Sequence, residues 1–508
     1  MISEPKKSRK ISFPVFCAIV AISYCLVFIT AEFWNSPVSG LKGFLTLSMQ
    51  WVVVAVPAAC IVALLTLNRW LFFLYPIVIV LSAVAAYFKL TMGASITPAV
   101  IELAMINNAV TWFTLVSPML IMLMILSALL SIAVVFCRFK YTDSPHRWPL
   151  WAICLISGAV IPVHIHRFKA PIEARMPYSF VRSLQGWLSN RKAVAECRDT
   201  FNNVPATCPD DSLTVIFIIG ESLRPDHLTL NGYSRLTTPS LSSDTAVVSL
   251  PDMRTIPFFT HTSVPRIMTR ADSLHPDLAD EEQSFITLFK KAGYHTAWLS
   301  NQDEVQSYSY FMHEADELLR INAGRTFYDY GLQLDEDLLP PLDQFLSSDA
   351  PRKLAVIHSI GSHWWYRSHY RPENALFKPE IDSRIISELS TERMVNSYDN
   401  TILATDAFVN EIITRLRDKN SIIIFISDHG EALGENGKFL HGGDFPELHS
   451  TACFVWYSPI YAMRYKDKIA RLKENASKRY MTDVMFHSAL DAAAITTPAL
   501  DGDMSIFR

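Results

Sequence analysis

The chain has 508 residues, half of them hydrophobic, and 45 basic against 49 acidic side chains leave a formal net charge of −4. That balance, with no basic stripe anywhere, gives no sign of a nucleic-acid partner. The apolar residues are crowded before residue 166, and the rest of the chain has the composition of a water-soluble protein, so one domain in lipid and one in water are predicted.

Five long apolar stretches without Lys, Arg, Asp or Glu cover residues 11–31, 43–68, 70–88, within 103–137, and 148–165, the last containing His164. About 20 apolar residues cross the hydrocarbon core, so five membrane helices are predicted over residues 1–166. The first stretch is too long, and followed by too many others, for a cleaved signal peptide. Lys6, Lys7, Arg9 and Lys10 precede the first helix, Arg69 follows the second, and Arg138, Lys140 and Arg147 follow the fourth. The alternate loops carry only Lys42 and Lys89. By the positive-inside rule the N-terminus is cytoplasmic, and five crossings put everything after residue 166 outside, in a periplasm if the cell is Gram-negative. Residues 92–108 have the spacing of a helix lying on the outer membrane surface. There Asn107 and Asn108 either cap the next helix or face a lipid headgroup.

Residues 167–212 form a predicted connector. Basic residues alternate with Phe168, Met176, Tyr178, Phe180, Leu184 and Trp187, a pattern for interfacial helices. Cys197 and Cys208 fall on the oxidising side of this topology, where a local disulfide forms readily.

From residue 213 to 508, strand-like runs at 213–219, 294–299, 353–360, 421–427 and 450–457 alternate with helical segments, including a periodic series from Val395 to Leu416. This pattern predicts a mainly parallel sheet covered by helices. The run 421–427 is wholly apolar but for its two end serines, and ends in Asp428-His429-Gly430, a carboxylate and an imidazole suited to a cation such as zinc. Taken alone, that ending equally describes a polar turn closing a core strand. The run 213–219 delivers Glu221 in the same way, which also reads as a helix-dipole partner. Two strands of one parallel sheet ending in metal-type ligands converge on one edge. A hydroxyl-rich segment surrounds His261 with Thr260 and Thr262, and such a hydroxyl becomes a nucleophile next to a metal, or simply caps a helix. His358, His363, His429, His441 and His449 all lie at or near strand ends, which favours a metal or anionic-substrate site.

Several segments carry a family resemblance: Gly220-Glu221-Ser222, 231–239, 294–302, 358–363, Tyr398-Asp399-Asn400 and Ser427 to Glu431. In this order they resemble the phosphoethanolamine transferases of Gram-negative envelopes, in the alkaline phosphatase/sulfatase superfamily, over essentially the whole chain. The resemblance implies a five-helix transmembrane domain plus an α/β sandwich domain of the alkaline phosphatase/sulfatase type. It implies a zinc ion (Zn2+) held by Glu221, Asp428, His429 and the nucleophilic Thr260, with Thr262 as the alternative nucleophile. His363 and His441 match phosphoryl-binding positions, and His358 and Asn108 are further substrate-binding candidates. The implied donor is phosphatidylethanolamine and the acceptor lipopolysaccharide, at core heptose or lipid A, with the protein in the inner membrane. Two features depart from the lipid A branch: only the Cys197–Cys208 pair is available for a disulfide, and residues 110–114 replace its acidic motif. The segment 366–373 is similar to the core-heptose branch. The rival expectations are a phosphoglycerol transferase acting on a periplasmic glycan and a membrane-anchored binding protein with a degenerate site.

Overall fold

The computed structural model describes residues 10–34, 36, 38–92, 95–98, 100–101, 118–143, 148–195, 198–322, 324, 331–383, 390–441 and 444–508. The chain divides into two compact units, residues 1–187 with 323–331, and residues 188–322 with 332–508.

Among the described residues of the first unit, four helices are long and apolar enough to cross a membrane: α1 (Phe13–Glu32), α2 (Gly40–Leu67), α3 (Leu71–Thr91) and α4 (Pro118–Tyr141). A fifth, α5 (Trp148–His164), is continued after a 103° bend by α6 (His166–Glu173). Ile22, Leu26, Met119 and Ile153 point outward, which in water would be a liability and in lipid is the solvated state. Polar groups turn inward and find partners: the Tyr24 hydroxyl lies 3.0 Å from Ser82 Oγ, linking α1 to α3. The wholly buried Arg138 donates from Nε to the Thr66 carbonyl at 3.0 Å. The predicted interfacial segment holds α6 and α7 (Tyr178–Val194). Asn107 and Asn108 lie outside the described residues.

The second unit is built on a seven-stranded sheet. Its strands are β1 (Leu213–Gly220), β2 (Val247–Ser249), β3 (His295–Ser300), β4 (Glu317–Arg320), β5 (Arg352–His358), β6 (Ser421–Ser427) and β7 (Cys453–Tyr457), in the spatial order β2-β7-β6-β1-β5-β3-β4. Strands β6, β1, β5, β3 and β4 run parallel, while β7 is antiparallel to β6 and β2 to β7. Every residue of β1 and β6 is buried, as expected of β-branched runs covered on both faces. The covering helices include α8 (Thr260–Met268), α9 (Phe285–Lys291) and α10 (Thr391–Leu416). Serines start two of them: Ser284 Oγ accepts from the Ile286 N–H, and Ser390 Oγ from the Arg393 N–H. The two strands without a sequence signal, β2 and β4, are the short edges, where little apolar patterning is needed.

Cys208 carries a free thiol that donates to the Ala493 carbonyl at 3.3 Å, and its expected partner Cys197 lies outside the described residues.

Candidate active site

β1 and β6 are parallel neighbours, with Gly220 opposite Ser427. Each strand therefore releases its next residue at the same edge of the sheet: Glu221 from β1, Asp428 and then His429 from β6. All three are buried, and one ligand-type atom from each falls within 4.8 Å of the others. The sheet register alone brings together residues that are far apart in the chain.

The local backbone is shaped around this meeting point. Ser222 sits at φ 55°, the left-handed region that residues with a Cβ avoid. Its N–H donates to Asp428 Oδ1 at 3.1 Å and its carbonyl accepts the Tyr398 hydroxyl at 2.7 Å, so the surroundings hold it there. Gly430 is required for a different reason than a turn: a Cβ there would stand 2.1 Å from the Glu447 carbonyl oxygen. Gly361, at φ 46°, lets the loop toward His363 pass against the Glu221 backbone, where a Cβ would meet the carbonyl oxygen at 3.0 Å.

Glu221 Oε1 accepts the Ser222 hydroxyl at 2.7 Å. Its Oε2 accepts both the Thr260 hydroxyl at 2.9 Å and the Gln302 amide at 2.8 Å. Asp428 Oδ1 accepts the N–H groups of Ser222 and His429, whereas Oδ2 is buried with no hydrogen-bond partner. His429 Nδ1 lies 2.8 Å from the Gly430 carbonyl oxygen, a partner that assigns the proton to Nδ1 and turns Nε2 toward Asp428 Oδ2 at 3.4 Å and Glu221 Oε1 at 3.5 Å. Two buried carboxylates side by side, one with an orphaned oxygen, are costly by themselves. An oxygen, oxygen and imidazole-nitrogen donor set fits a small divalent cation, zinc in particular.

The electrostatics of the protein alone carry the same strain. Burial raises the Glu221 carboxyl, but His429, His363, the Ser222 hydroxyl and His441 outweigh it and hold Glu221 below the usual carboxylate range. Burial, and then the neighbouring Glu221 charge, push Asp428 up. His441 is opposed by burial yet pushed up to about 9, chiefly by Glu431. Its Nδ1 lies 3.4 Å from Glu431 Oε1, an ion-pair distance.

Thr260 opens α8 and is half-buried, its hydroxyl on Glu221. The Thr262 hydroxyl is exposed and donates back to the Phe259 carbonyl at 2.9 Å, away from the carboxylates. The His441 ring packs 5.2 Å from His429 and 5.7 Å from Phe259. His363 is half-buried beyond Gly361, close enough to Glu221 to lower its pKa. His449 is a brace, bonded through Nδ1 to the Thr255 carbonyl and through Nε2 to Asp444.

His358, expected to bind substrate, sits in a different setting from the other histidines. It is wholly buried, its ring edges against Trp298 and Tyr308, and neither ring nitrogen has a hydrogen-bond partner. Burial pushes its pKa down to about 4, with Glu221 pulling the other way, so the ring is a neutral core residue. It closes β5 facing the core, and a strand-end histidine reaches a site only when its own face of the sheet points there. Two residues escaped sequence reasoning. Arg224 is buried, pairs with Asp226 and Glu435 and donates to the Glu431 carbonyl, tying the Glu221 loop to the segment after His429. Gln302 reaches Glu221 itself. The only sequence signal for either was its place in or beside a segment carrying the family resemblance.

Comparison with known proteins bears on the fold and the family. The Sulfatase family model matches residues 214–495. The phosphoethanolamine transferase EptA of Salmonella typhimurium is 26% identical over 95% of this chain and 93% of its own length. The integral membrane lipooligosaccharide phosphoethanolamine transferase A of Neisseria meningitidis shares the fold at a TM-score of 0.53 and 21% identity, covering 97% of this chain and 98% of that one. The C-terminal periplasmic domain of EptC from Escherichia coli, solved in complex with Zn, matches at a TM-score of 0.54 and 23% identity over 60% of this chain and 89% of its own. With the family model covering the site-bearing unit from β1 to beyond β7, this chain belongs to the sulfatase family, and its curated relatives include phosphoethanolamine transferases.

Proposed function

We propose that the chain is a multi-pass inner-membrane phosphoethanolamine transferase with its catalytic unit in the periplasm. Phosphatidylethanolamine is the donor and lipopolysaccharide, at a core heptose or at lipid A, the acceptor. The observation that carries this reading is the Thr260 hydroxyl donating at 2.9 Å to Glu221, within the buried group of Glu221, Asp428 and His429. The membrane helices and the names of the relatives supply the substrate class.

Glu221, Asp428, His429 and the Thr260 hydroxyl would hold the zinc ion, whose charge makes a threonine hydroxyl acidic. Thr260 already aims its proton at Glu221 Oε2, and the N-terminus of α8 favours negative charge developing on its first residue. Thr260 Oγ1 bonds to the donor phosphorus while the bond from phosphorus to the diacylglycerol oxygen breaks, and that oxygen takes up a proton. His441, charged at neutral pH through Glu431, and His363 are placed to balance charge on the nonbridging oxygens and to supply that proton. An acceptor oxygen then bonds to the phosphorus of phospho-Thr260, displacing the threonine oxygen and completing transfer.

The test is mass spectrometry of lipopolysaccharide from cells expressing the parent chain, Thr260→Ala or Thr262→Ala, with donor headgroups labelled as ethanolamine or glycerol. A phosphoethanolamine addition is expected with the parent and with Thr262→Ala, and none with Thr260→Ala. Addition surviving in Thr260→Ala removes the nucleophile assignment, and glycerol label in the product removes the donor.

A further inference from the structure

The segment 294–302 belongs to the family resemblance, yet none of its residues has a role in the transfer chemistry. It forms β3 and the turn after it, and β3 is separated from β1 by β5. Strands are spaced by about 4.8 Å, so a residue following β3 must reach across two strand intervals to touch a group at the end of β1. Gln302 does so. Its amide nitrogen donates to Glu221 Oε2 at 2.8 Å and to the Ser359 carbonyl, just past the end of β5, at 3.2 Å. Both amide hydrogens are thereby used, which fixes the orientation of the side chain.

The anchor behind that reach is itself immobilised. The Gln302 N–H donates to Ser300 Oγ at 3.1 Å, and the Ser300 hydroxyl donates back to the Gln302 carbonyl at 3.0 Å. Next to it, Asn301 donates to Asp335 Oδ1 at 2.9 Å, and the two Asp335 oxygens accept the N–H groups of Ile360 and Gly361. That loop packs on the Glu221 backbone, with the Ser362 N–H donating to the Glu221 carbonyl at 3.0 Å. Asn301 thus braces, through Asp335, the loop that holds the Glu221 backbone, while its neighbour Gln302 holds the Glu221 carboxylate directly.

We propose that Gln302 is the positioning residue for the Glu221 carboxylate, holding Oε2 in the orientation in which Glu221 serves as a metal ligand. This rests on the metal reading made under Proposed function and assigns to Gln302 the step it leaves open, namely what aims the carboxylate. The Thr260 hydroxyl shares Oε2 but gives up its proton in the reaction, so Gln302 is the donor of the two that stays. A shorter side chain at 302 falls one methylene short of Glu221, and an apolar one of equal length leaves Oε2 without its lasting donor, with only Oε1 still held, by the Ser222 hydroxyl.

The experiment measures zinc affinity of the full-length chain in detergent, stripped of metal and titrated with zinc alone against a chromophoric chelator. Gln302→Met and Gln302→Asn are compared with the parent and with Gln333→Met. Gln333 is a useful control because it donates to the Asn301 carbonyl at 2.8 Å in the same neighbourhood and its side chain has no hydrogen bond to Glu221. Loss of a hydrogen-bond partner behind a metal ligand weakens metal binding roughly 10- to 100-fold. A loss of that size in both Gln302 variants, with Gln333→Met at parent affinity and the metal-free melting midpoints of Gln302→Met and Gln333→Met alike, supports the proposal. Parent-like affinity in Gln302→Met, or an equal loss in Gln333→Met, overturns this inference alone. A parent chain with no measurable zinc affinity overturns the metal reading and this inference with it.

Discussion

The sheet edge at β1 and β6 and the neighbouring end of β5 use the same residue types and treat them in opposite ways. His429 and His358 both follow or close buried strands, and both are almost wholly inaccessible. His429 stands against two carboxylates that raise its pKa over the opposing effect of burial. His358 stands against the rings of Trp298 and Tyr308, and burial dominates. The carboxylates divide likewise. Asp428 keeps an oxygen with no hydrogen-bond partner, while Glu314, at the end of its helix, accepts the Ser284 N–H at both oxygens and the Ser284 hydroxyl. The difference lies in the company kept: the partnerless Asp428 oxygen sits among other ligand-type atoms, whereas the partnerless His358 nitrogens sit among aromatic rings.

The largest effect that would break this contrast comes from Asp428→Asn. Removing one charged donor is expected to lower transfer by on the order of 10³-fold or more and to abolish stoichiometric zinc, read by elemental analysis. Stability should move the other way. Asp428 ionised is unfavourable in the metal-free fold, because burial and Glu221 both oppose its charge. The metal-free melting midpoint of the variant should therefore equal or exceed that of the parent. A clear drop in that midpoint would instead make Asp428 a structural residue.

Glu314→Gln sharpens the contrast through pH. Burial pushes the Glu314 carboxyl up to about 7, against lowering by Ser284 and Thr287. Its folded pKa thus lies above its unfolded one, and the folded state binds more protons between roughly pH 4.5 and pH 7. Stability from this group is present below that window and falls as pH rises through it. The full shift is worth about 3 kcal/mol, and partial exposure of the residue trims it to on the order of 2 kcal/mol. Thermal melts on the acid and alkaline sides of that window should show a smaller alkaline loss in Glu314→Gln than in the parent. Equal losses in the two proteins would place the titration elsewhere.

Legibility in the sequence divides along the same line. The central strands were legible because each is a continuous apolar run, and Glu221, Asp428 and His429 because each sits just past the end of one. The edge strands β2 and β4 were not, being three and four residues long. The role of Gln302 was hidden because it depends on strand order, with β5 between β3 and β1, and spatial order is not written in any local pattern. The setting of His358 was hidden for a related reason. Proximity to a strand end is a property of the sequence, but the direction its ring takes is decided by the packing of Trp298 and Tyr308.

His358→Leu gives the smallest effect and the most discriminating one. Leucine has nearly the volume of histidine and no ring nitrogens to bury without partners, a relief worth about 1 kcal/mol or more. Against this, the edge-to-face contacts with Trp298 and Tyr308 are lost, each worth roughly 0.5–1.5 kcal/mol. The two nearly cancel, so the melting midpoint should stay close to that of the parent. Because the ring is neutral across the physiological range, the pH profile of transfer should not move either, and the rate should stay within about twofold. Thr260 and His441 variants supply the scale against which that small change is read. A hundredfold loss of transfer in His358→Leu at unchanged stability would put His358 in contact with substrate, and the two strand ends would then belong to one site.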